Sequence, residues 1–372
     1  MKGITRYILR QNIIILAAVT VAFTAAVWLI ESLRLIDLIV NRGLSAGTFL
    51  YLAMLIIPRF INVVLPIAVF IAVVFTYNKL IAESELVVMR ASGMSPLDLA
   101  RPAIIAGIAG SVVLLVLSLW LMPAANRAFK DLQFEIRNRF ASALLQEGVF
   151  NTLSDKLTVY VRNRDQNNEL YGLLIQDSHD AAKPTTIMAE HGAFVDGPGG
   201  PRVLMVNGNR QQYDRASGKL SVLSFEKYTL DLANLRDTPT ARSRQPDERY
   251  LPELIGPFDE DVERQWGRWL RLELHQRLAM PLSALAFAAI PLACLLPGEF
   301  NRRGQTRRVL LAVALALLLE ILQLGARNLA AGNLAAIPLL YVMVVLPILT
   351  TYWLLWRDTR RRPSRVAAAP AE

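Results

Sequence analysis

The run Pro102–Asn126, PAIIAGIAGSVVLLVLSLWLMPAAN, contains no charged residue. A helix rises 1.5 Å per residue, so roughly 20 apolar residues cross a hydrocarbon core about 30 Å thick. This run is long enough to do so. Just before it lies a short charged stretch, Ala82–Pro96 (AESELVVMRASGMSP), and just after it begins a long block of ordinary soluble composition, Arg127 to Arg277. The run therefore separates a membrane-surface corner from a domain outside the bilayer.

Five further segments qualify as spans: Ile13–Ile30, Phe60–Asn78 (its helix expected to begin nearer Thr48), Leu278–Pro297, Val309–Ala326 and Asn328–Trp356. Only Glu320 interrupts them with charge. Across the 372 residues, 53% are hydrophobic, an apolar share above that of soluble domains. The mean hydropathy of +0.35 agrees. The formal charge of +9 does not indicate nucleic acid, because the basic residues gather beside apolar runs and form no stripe with interleaved aromatics. The sole cysteine, Cys294, excludes an intramolecular disulfide. The first run is longer than a signal-peptide core and Ala22–Ala25 is a poor cleavage signal, so an uncleaved anchor is expected.

Basic residues also set an expected orientation. With the N-terminus in the cytoplasm, the inner loops hold Lys2, Arg6, Arg10, Lys79, Arg90, Arg101, Arg302, Arg303, Arg307 and Arg308. The tail adds Arg357, Arg360, Arg361, Arg362 and Arg365, whereas the short outer loops hold only Arg34, Arg42 and Arg327. Both termini are then inside and the large block is periplasmic. That block opens with a polar helix, Phe129–Glu147. Strand-like runs follow at Lys156–Val161, Leu170–Ile175, Thr185–Met188, Arg202–Val206, Gln211–Tyr213 and Leu220–Leu232. Turn chemistry bounds them at Asn167-Asn168, Asp196–Gly200, Asn207–Asn209 and Ser217-Gly218, the pattern of an all-β sandwich or jelly roll. Arg236–Glu248 reads as a polar, proline-containing linker.

The expected fold is thus membrane α-helical, with six transmembrane helices plus a periplasmic all-β, jelly-roll-like domain. Residues 1–126 hold spans one to three, 127–270 the β domain with its leading helix and linker, 271–358 spans four to six, and 359–372 a basic cytoplasmic tail.

Within the charged corner, Leu80 to Ser92 are good helix formers, with Gly93 placed for a left-handed end. Ser95-Pro96 then offers an N-cap and a first-turn proline, with Asp98 near the positive end of the next helix. A helix of residues 80–93 is too short to span a bilayer, and Glu83, Glu85 and Arg90 are costly in hydrocarbon, so it lies at the surface. Such a helix is either a solvated connector or a docking helix whose Leu86, Val87 and Met89 enter a partner's groove.

Here the chain resembles the lipopolysaccharide-export permeases, the LptF/LptG family. The resemblance rests on KLIAE followed by SELVVMRASGMS (Ser84–Ser95), on RYILRQ (Arg6–Gln11), on ELHQRLAMPLSALAFAAIPLA (Glu273–Ala293), and on six spans split three and three around a β domain. Within the family the F-type subunit is preferred over the G-type. The resemblance implies a subunit of an ABC exporter, paired with a paralogous LptG-like permease on a dimeric cytoplasmic LptB-like ATPase. The pair extracts lipopolysaccharide from the inner membrane and passes it to a single-span LptC-like protein and a periplasmic LptA-like bridge. ATP is then bound by the partner, with no cofactor in this chain. The implied ATPase-coupling residues are Glu83, Glu85, Leu86, Met89, Arg90 and Gly93, Glu85 foremost because it lies in the SEL motif.

Lipopolysaccharide places phosphates at the outer surface, where guanidinium groups bind them by charge-assisted hydrogen bonds. Arg34 and Arg327 stand at that level and match basic positions of the family, although Glu31 stands where a relative carries lysine. The alternative is that both arginines simply snorkel to the headgroups. Arg59 and Glu320 lie deeper, and ionisable groups there face a cavity or a partner; they either pair or line the wall between permeases.

Other chemistries are not indicated. There is no G-x-x-x-x-G-K-[ST]. GLSAG (Gly43–Gly47) lacks the strand-turn-helix setting of a nucleophile elbow. His179, His191 and His275 have no metal-ligand spacing, and Glu273 with Arg277 reads as a structural pair one turn apart. Two alternatives remain: a membrane-anchored periplasmic binding or scaffold protein without ATP coupling, and a secondary transporter, for which Pro58, Pro66, Pro291 and Pro347 are weak signals.

Overall fold

The computed structural model describes residues 2–40, 45–139, 147–154, 156–165, 169–197, 200–215, 217–231, 243–297 and 305–361. Arg42, Arg302, Arg303, Arg362, Arg365, and the expected turn residues Asn167, Asn168, Pro198 and Gly199 lie outside them. The same holds for most of the expected linker and of the tail.

Eleven helices are described: α1 (Lys2–Val40), α2 (Ala46–Leu55), α3 (Ile57–Ala82), α4 (Glu85–Ala91), α5 (Pro96–Val116), α6 (Met122–Arg139), α7 (Leu251–Ile255), α8 (Glu260–Ala279), α9 (Ser283–Leu295), α10 (Gln305–Gly332) and α11 (Ile337–Arg361). Among the described residues, six helical stretches are long and apolar enough to cross a membrane: Gly3–Arg34, Ala46–Ala82, Pro96–Phe134, Glu260–Leu295, Gln305–Gly332 and Leu334–Arg360. The second span starts early, as expected. Ser45 caps α2 by accepting from the Thr48 N–H at 3.2 Å, which gives the GLSAG serine a structural task. Pro58 then separates α2 from α3, since a proline interrupts the helix one turn back. Leu117–Leu121 forms a π turn between α5 and α6.

By contact the chain divides into two compact units, one comprising Met1–Asp37, Ser45–Phe129 and Arg244–Glu372 and the other centred on Lys130–Ser243. Residues 244–270, read from composition with the β block, therefore pack with the helices. The charged face of α8 accounts for that reading: a polar extension carries the fourth span well beyond its apolar part.

In the helical unit α9 is central, with α3, α5, α10 and α11 packed around it. Ala284, Ala286 and Ala288 on α9 are fully buried, as are Ala100 and Ala103 on α5. Small residues let helix backbones approach closely, the usual basis of helix packing in hydrocarbon. One core cluster gathers Leu80, Leu86, Leu99, Leu292 and Leu355 around the buried Tyr77, whose hydroxyl donates to the Leu99 carbonyl at 2.5 Å.

The second unit holds six strands: β1 (Phe150–Ser154), β2 (Leu157–Arg164), β3 (Glu169–Asp177), β4 (Thr185–Gly197), β5 (Gly200–Asp214) and β6 (Lys219–Asp231). They form one antiparallel sheet in the order β1-β2-β3-β4-β5-β6. The all-β domain is present, and its strand order, which the sequence left open, is a meander among the described residues. Val159, Val161, Leu173, Ile175, Ile187, Val203 and Met205 form its core. Asn207–Asn209 is not a turn but lies inside β5, where Asn209 pairs with Met188 and Ser224. Gly208 is there because a Cβ would overlap the Met188 carbonyl oxygen.

Candidate functional site

The charged corner is built from local capping chemistry. At the end of α3, the Glu83 N–H reaches the Lys79 carbonyl at 2.9 Å and the Ser84 N–H reaches Ile81 at 3.0 Å. Ser84 then turns left-handed, with φ 62°, and α4 starts at Glu85. The expected continuous helix of 80–93 is thus two pieces, with Leu80 belonging to α3. Leu80 and Leu86 are both fully buried. Six residues apart on one helix they would point about 120° apart at 3.6 residues per turn; the break lets both face the core.

At its other end α4 closes with Gly93 at φ 87°. Its N–H donates to the Arg90 carbonyl at 3.0 Å and the Met94 N–H to the Met89 carbonyl at 3.2 Å, a Schellman arrangement. Two residues later Ser95 and Asp98 cap α5 reciprocally, the Asp98 N–H reaching the Ser95 hydroxyl at 3.1 Å and the Ser95 N–H the Asp98 carboxylate at 3.3 Å.

These ends decide which way the expected coupling residues face. Leu86 and Met89 are buried in the chain's own core and are not free to enter a partner's groove. Arg90 donates to the Leu296 carbonyl at the end of α9, a cation satisfying a helix C-terminus. The outward surface instead carries Val87 and Val88, 42% and 67% exposed, and Glu83 and Gly93 are exposed as well. Glu83 lies 3.9 Å from Lys79, and Glu85 accepts from the Tyr7 hydroxyl at 3.4 Å.

At the opposite end of the helical unit, among the described residues, lie cavities that share residues. One of about 530 Å³ is lined by Val27, Glu31, Arg34, Arg59, Phe60 and Asn126, among others. A second, of about 300 Å³, is lined by Arg59, Ser118, Asn126, Glu273, Arg277 and Arg327. A third, of about 100 Å³, has Gln276, Glu320, Gln323 and Arg327 in its wall. Arg59 joins the first to the second and Arg327 the second to the third. The four residues singled out in the sequence therefore line one series, although Arg59 and Glu320 line different cavities. Arg34 is paired with Glu31 at 2.9 Å. The π turn places Ser118 in the wall of the middle cavity, with its hydroxyl 3.1 Å from the Leu115 carbonyl.

Sequence reasoning missed the strap beside that cavity. Arg277, its side chain 5% exposed, donates to Glu273 at 2.7 Å, to the Arg249 carbonyl at 2.5 Å and to the Pro246 carbonyl at 3.1 Å. Arg127 donates to the Glu248 carbonyl and to Glu253, and its guanidinium stacks 4.2 Å from the centre of the Tyr250 ring. Burial alone would raise the Glu253 pKa, but the Arg127 hydrogen bond and charge, with the Tyr250 N–H, hold it below its ordinary value. The i,i+4 spacing of Glu273 and Arg277 was visible in the sequence; the hold of Arg277 on the Pro246 and Arg249 carbonyls was not.

A family profile described as lipopolysaccharide export system permease LptF/LptG matches residues 6–357. The chain belongs to this family. Its relatives include the lipopolysaccharide export system permease protein LptF of Escherichia coli strain K12, 22% identical over 330 residues, or 87% of this chain and 86% of the relative. LptF of Shigella flexneri matches to the same extent. The uncharacterized protein RP871 of Rickettsia prowazekii (strain Madrid E) is 27% identical over 332 residues, covering 88% of this chain and 91% of the relative. The LptF/LptG match runs from the RYILRQ segment of α1 to Arg357 within the sixth apolar helix, so the family covers the corner, the cavities and the β domain alike.

Proposed function

We propose that this LptF/LptG-family chain is the F-type transmembrane subunit of an ABC exporter in the inner membrane. In this reading α4 is cytoplasmic and the β domain periplasmic. A partner ATPase binds and hydrolyses the nucleotide and docks on α4; this chain catalyses nothing itself. A paralogous permease completes the lipid cavity, and lipopolysaccharide leaves by way of a single-span bridge protein and a soluble periplasmic bridge. The LptF-named relatives and the positive residues flanking α4 support the assignment.

The observation that carries it is the shape of α4. It is a rigid corner with both ends stopped by backbone hydrogen bonds, seated on the core by Leu86 and Met89, and presenting Val87 and Val88 outward. A connector has no need of that apolar pair at a water-exposed surface, whereas a docking helix does. Glu83 and Glu85 flank the pair and give register against basic groups of the partner. The arginines of the cavity series, Arg34, Arg59 and Arg327, are suited to lipid phosphates. The test is co-purification: Glu85→Arg is expected to lose the ATPase and lipopolysaccharide export together. Retention of both would overturn the reading in favour of a scaffold without energy coupling.

A further inference from the structure

The first span is attached to the rest of the helical unit in an uneven way. Only 6% of its apolar window is buried. Its outward face shows Ile13, Ile14, Val21, Phe23 and Leu29. The inward face recurs every fourth residue as Ile4, Ile8, Asn12, Leu16, Thr20, Thr24, Trp28 and Ser32. In the middle of that stripe the side chains are short hydroxyls, and the buried Thr20 and Thr24 oxygens have no hydrogen-bond partner.

The ends differ. Near the α4 end Ile8 is fully buried in the same cluster as Leu86, Met89 and Met94, with Ile4 and Leu16 packed against it. The Tyr7 hydroxyl donates to Glu85 at 3.4 Å and is itself met by Gln11 at 3.0 Å. Towards the other end Trp28 donates its indole N–H to the Ala53 carbonyl of α2 at 2.8 Å. Beyond it, Glu31 and Arg34 line the cavity of about 530 Å³ together with Arg59 and Phe60.

We infer that Ile8 and Tyr7 are positioning residues that fasten α1 to α4, so that a displacement of α4 is carried along α1 to the cavity wall at Glu31 and Arg34. An α-helix transmits such a displacement over about 35 Å between residues 8 and 31, at 1.5 Å per residue. With only 6% of its apolar window buried, α1 has little of its length held by the rest of the unit and can tilt as a rod. This inference rests on the reading of α4 as the ATPase dock.

The test uses the complete transporter with its ATPase in lipopolysaccharide-containing proteoliposomes. It measures ATPase co-purification, ATP hydrolysis, and lipid released per ATP. Ile8→Ala is expected to leave co-purification intact and hydrolysis within about twofold, while lowering lipid released per ATP about fivefold or more, the low end of ordinary coupling between sites. Ile8→Val restores most of the yield, and Tyr7→Phe lowers it about twofold, as the loss of one weak hydrogen bond would. An unchanged yield per ATP in Ile8→Ala, or a fall in export that only tracks hydrolysis, overturns the inference. Failure of the docking reading registers elsewhere, as an ATPase that still binds Glu85→Arg.

Discussion

The two ends of the helical unit are built on different principles. At the α4 end, each turn is stopped by neighbours in sequence: Ser84 by its left-handed backbone, Gly93 and Met94 by bonds back to Arg90 and Met89, Ser95 by Asp98. At the opposite end, the cavities draw walls from α1, α3, α6, α8 and α10, and the strap is held by two arginines more than 20 residues away in sequence. A surface that must meet a partner in one register benefits from local stiffness. A cavity that must open and close is better assembled from parts that can move separately.

That contrast can be broken first at Arg277. Replacing it by Met removes three hydrogen bonds and leaves the Glu273 carboxylate without its buried partner, at a cost of about 3 kcal/mol. The expected outcome is a lowered unfolding midpoint in detergent together with early protease cleavage near Arg249. A midpoint within error of the parent would show that the strap is held by packing alone.

The α4 end should respond more weakly and locally. Gly93 has open space around its Cα, so Gly93→Ala meets only the penalty of a left-handed backbone, about 1 kcal/mol. Unfolding measurements on Gly93→Ala and Gly93→Asn would check this, Asn being the milder change. Equal losses for the two would mean that the turn is not what the glycine serves.

The smallest effect is one of pH. Because the folded-state pKa of Glu253 is depressed, its contribution is present above the ordinary value of 4.5 and is lost as pH falls through the depressed one. Amide protection factors in Leu251–Ile255, which correct for the intrinsic slowing of exchange in acid, should therefore fall below about that ordinary carboxylate value and stay unchanged near neutral pH. The loss of protection should vanish in Glu253→Gln, which cannot titrate. Persistence in that variant would assign it to another group.

How much was legible in advance follows the same division. The six spans could be read because apolar length is a property of the chain itself, and hydrocarbon leaves backbone few alternatives to a helix. Gly93, Ser95 and Asp98 were readable as caps for the same reason: their partners lie within a few residues. The facing of Leu86 and Met89 was not, since either side of a short amphipathic helix can be the buried one until its neighbours are known. The Asn207–Asn209 stretch misled because glycine serves close strand approach as well as turns.

Sequence by itself determined the membrane class, the β insertion, the corner and the family, each through composition, spacing or local hydrogen bonding. Tertiary structure alone decided that Arg34, Arg59, Arg327 and Glu320 line one series of cavities, that Arg127 and Arg277 hold a strap, and that Ile8 of the first span is buried in the same core cluster as Leu86 and Met89 of α4. Those facts depend on residues far apart in the chain being brought together by helix packing, which no local pattern encodes.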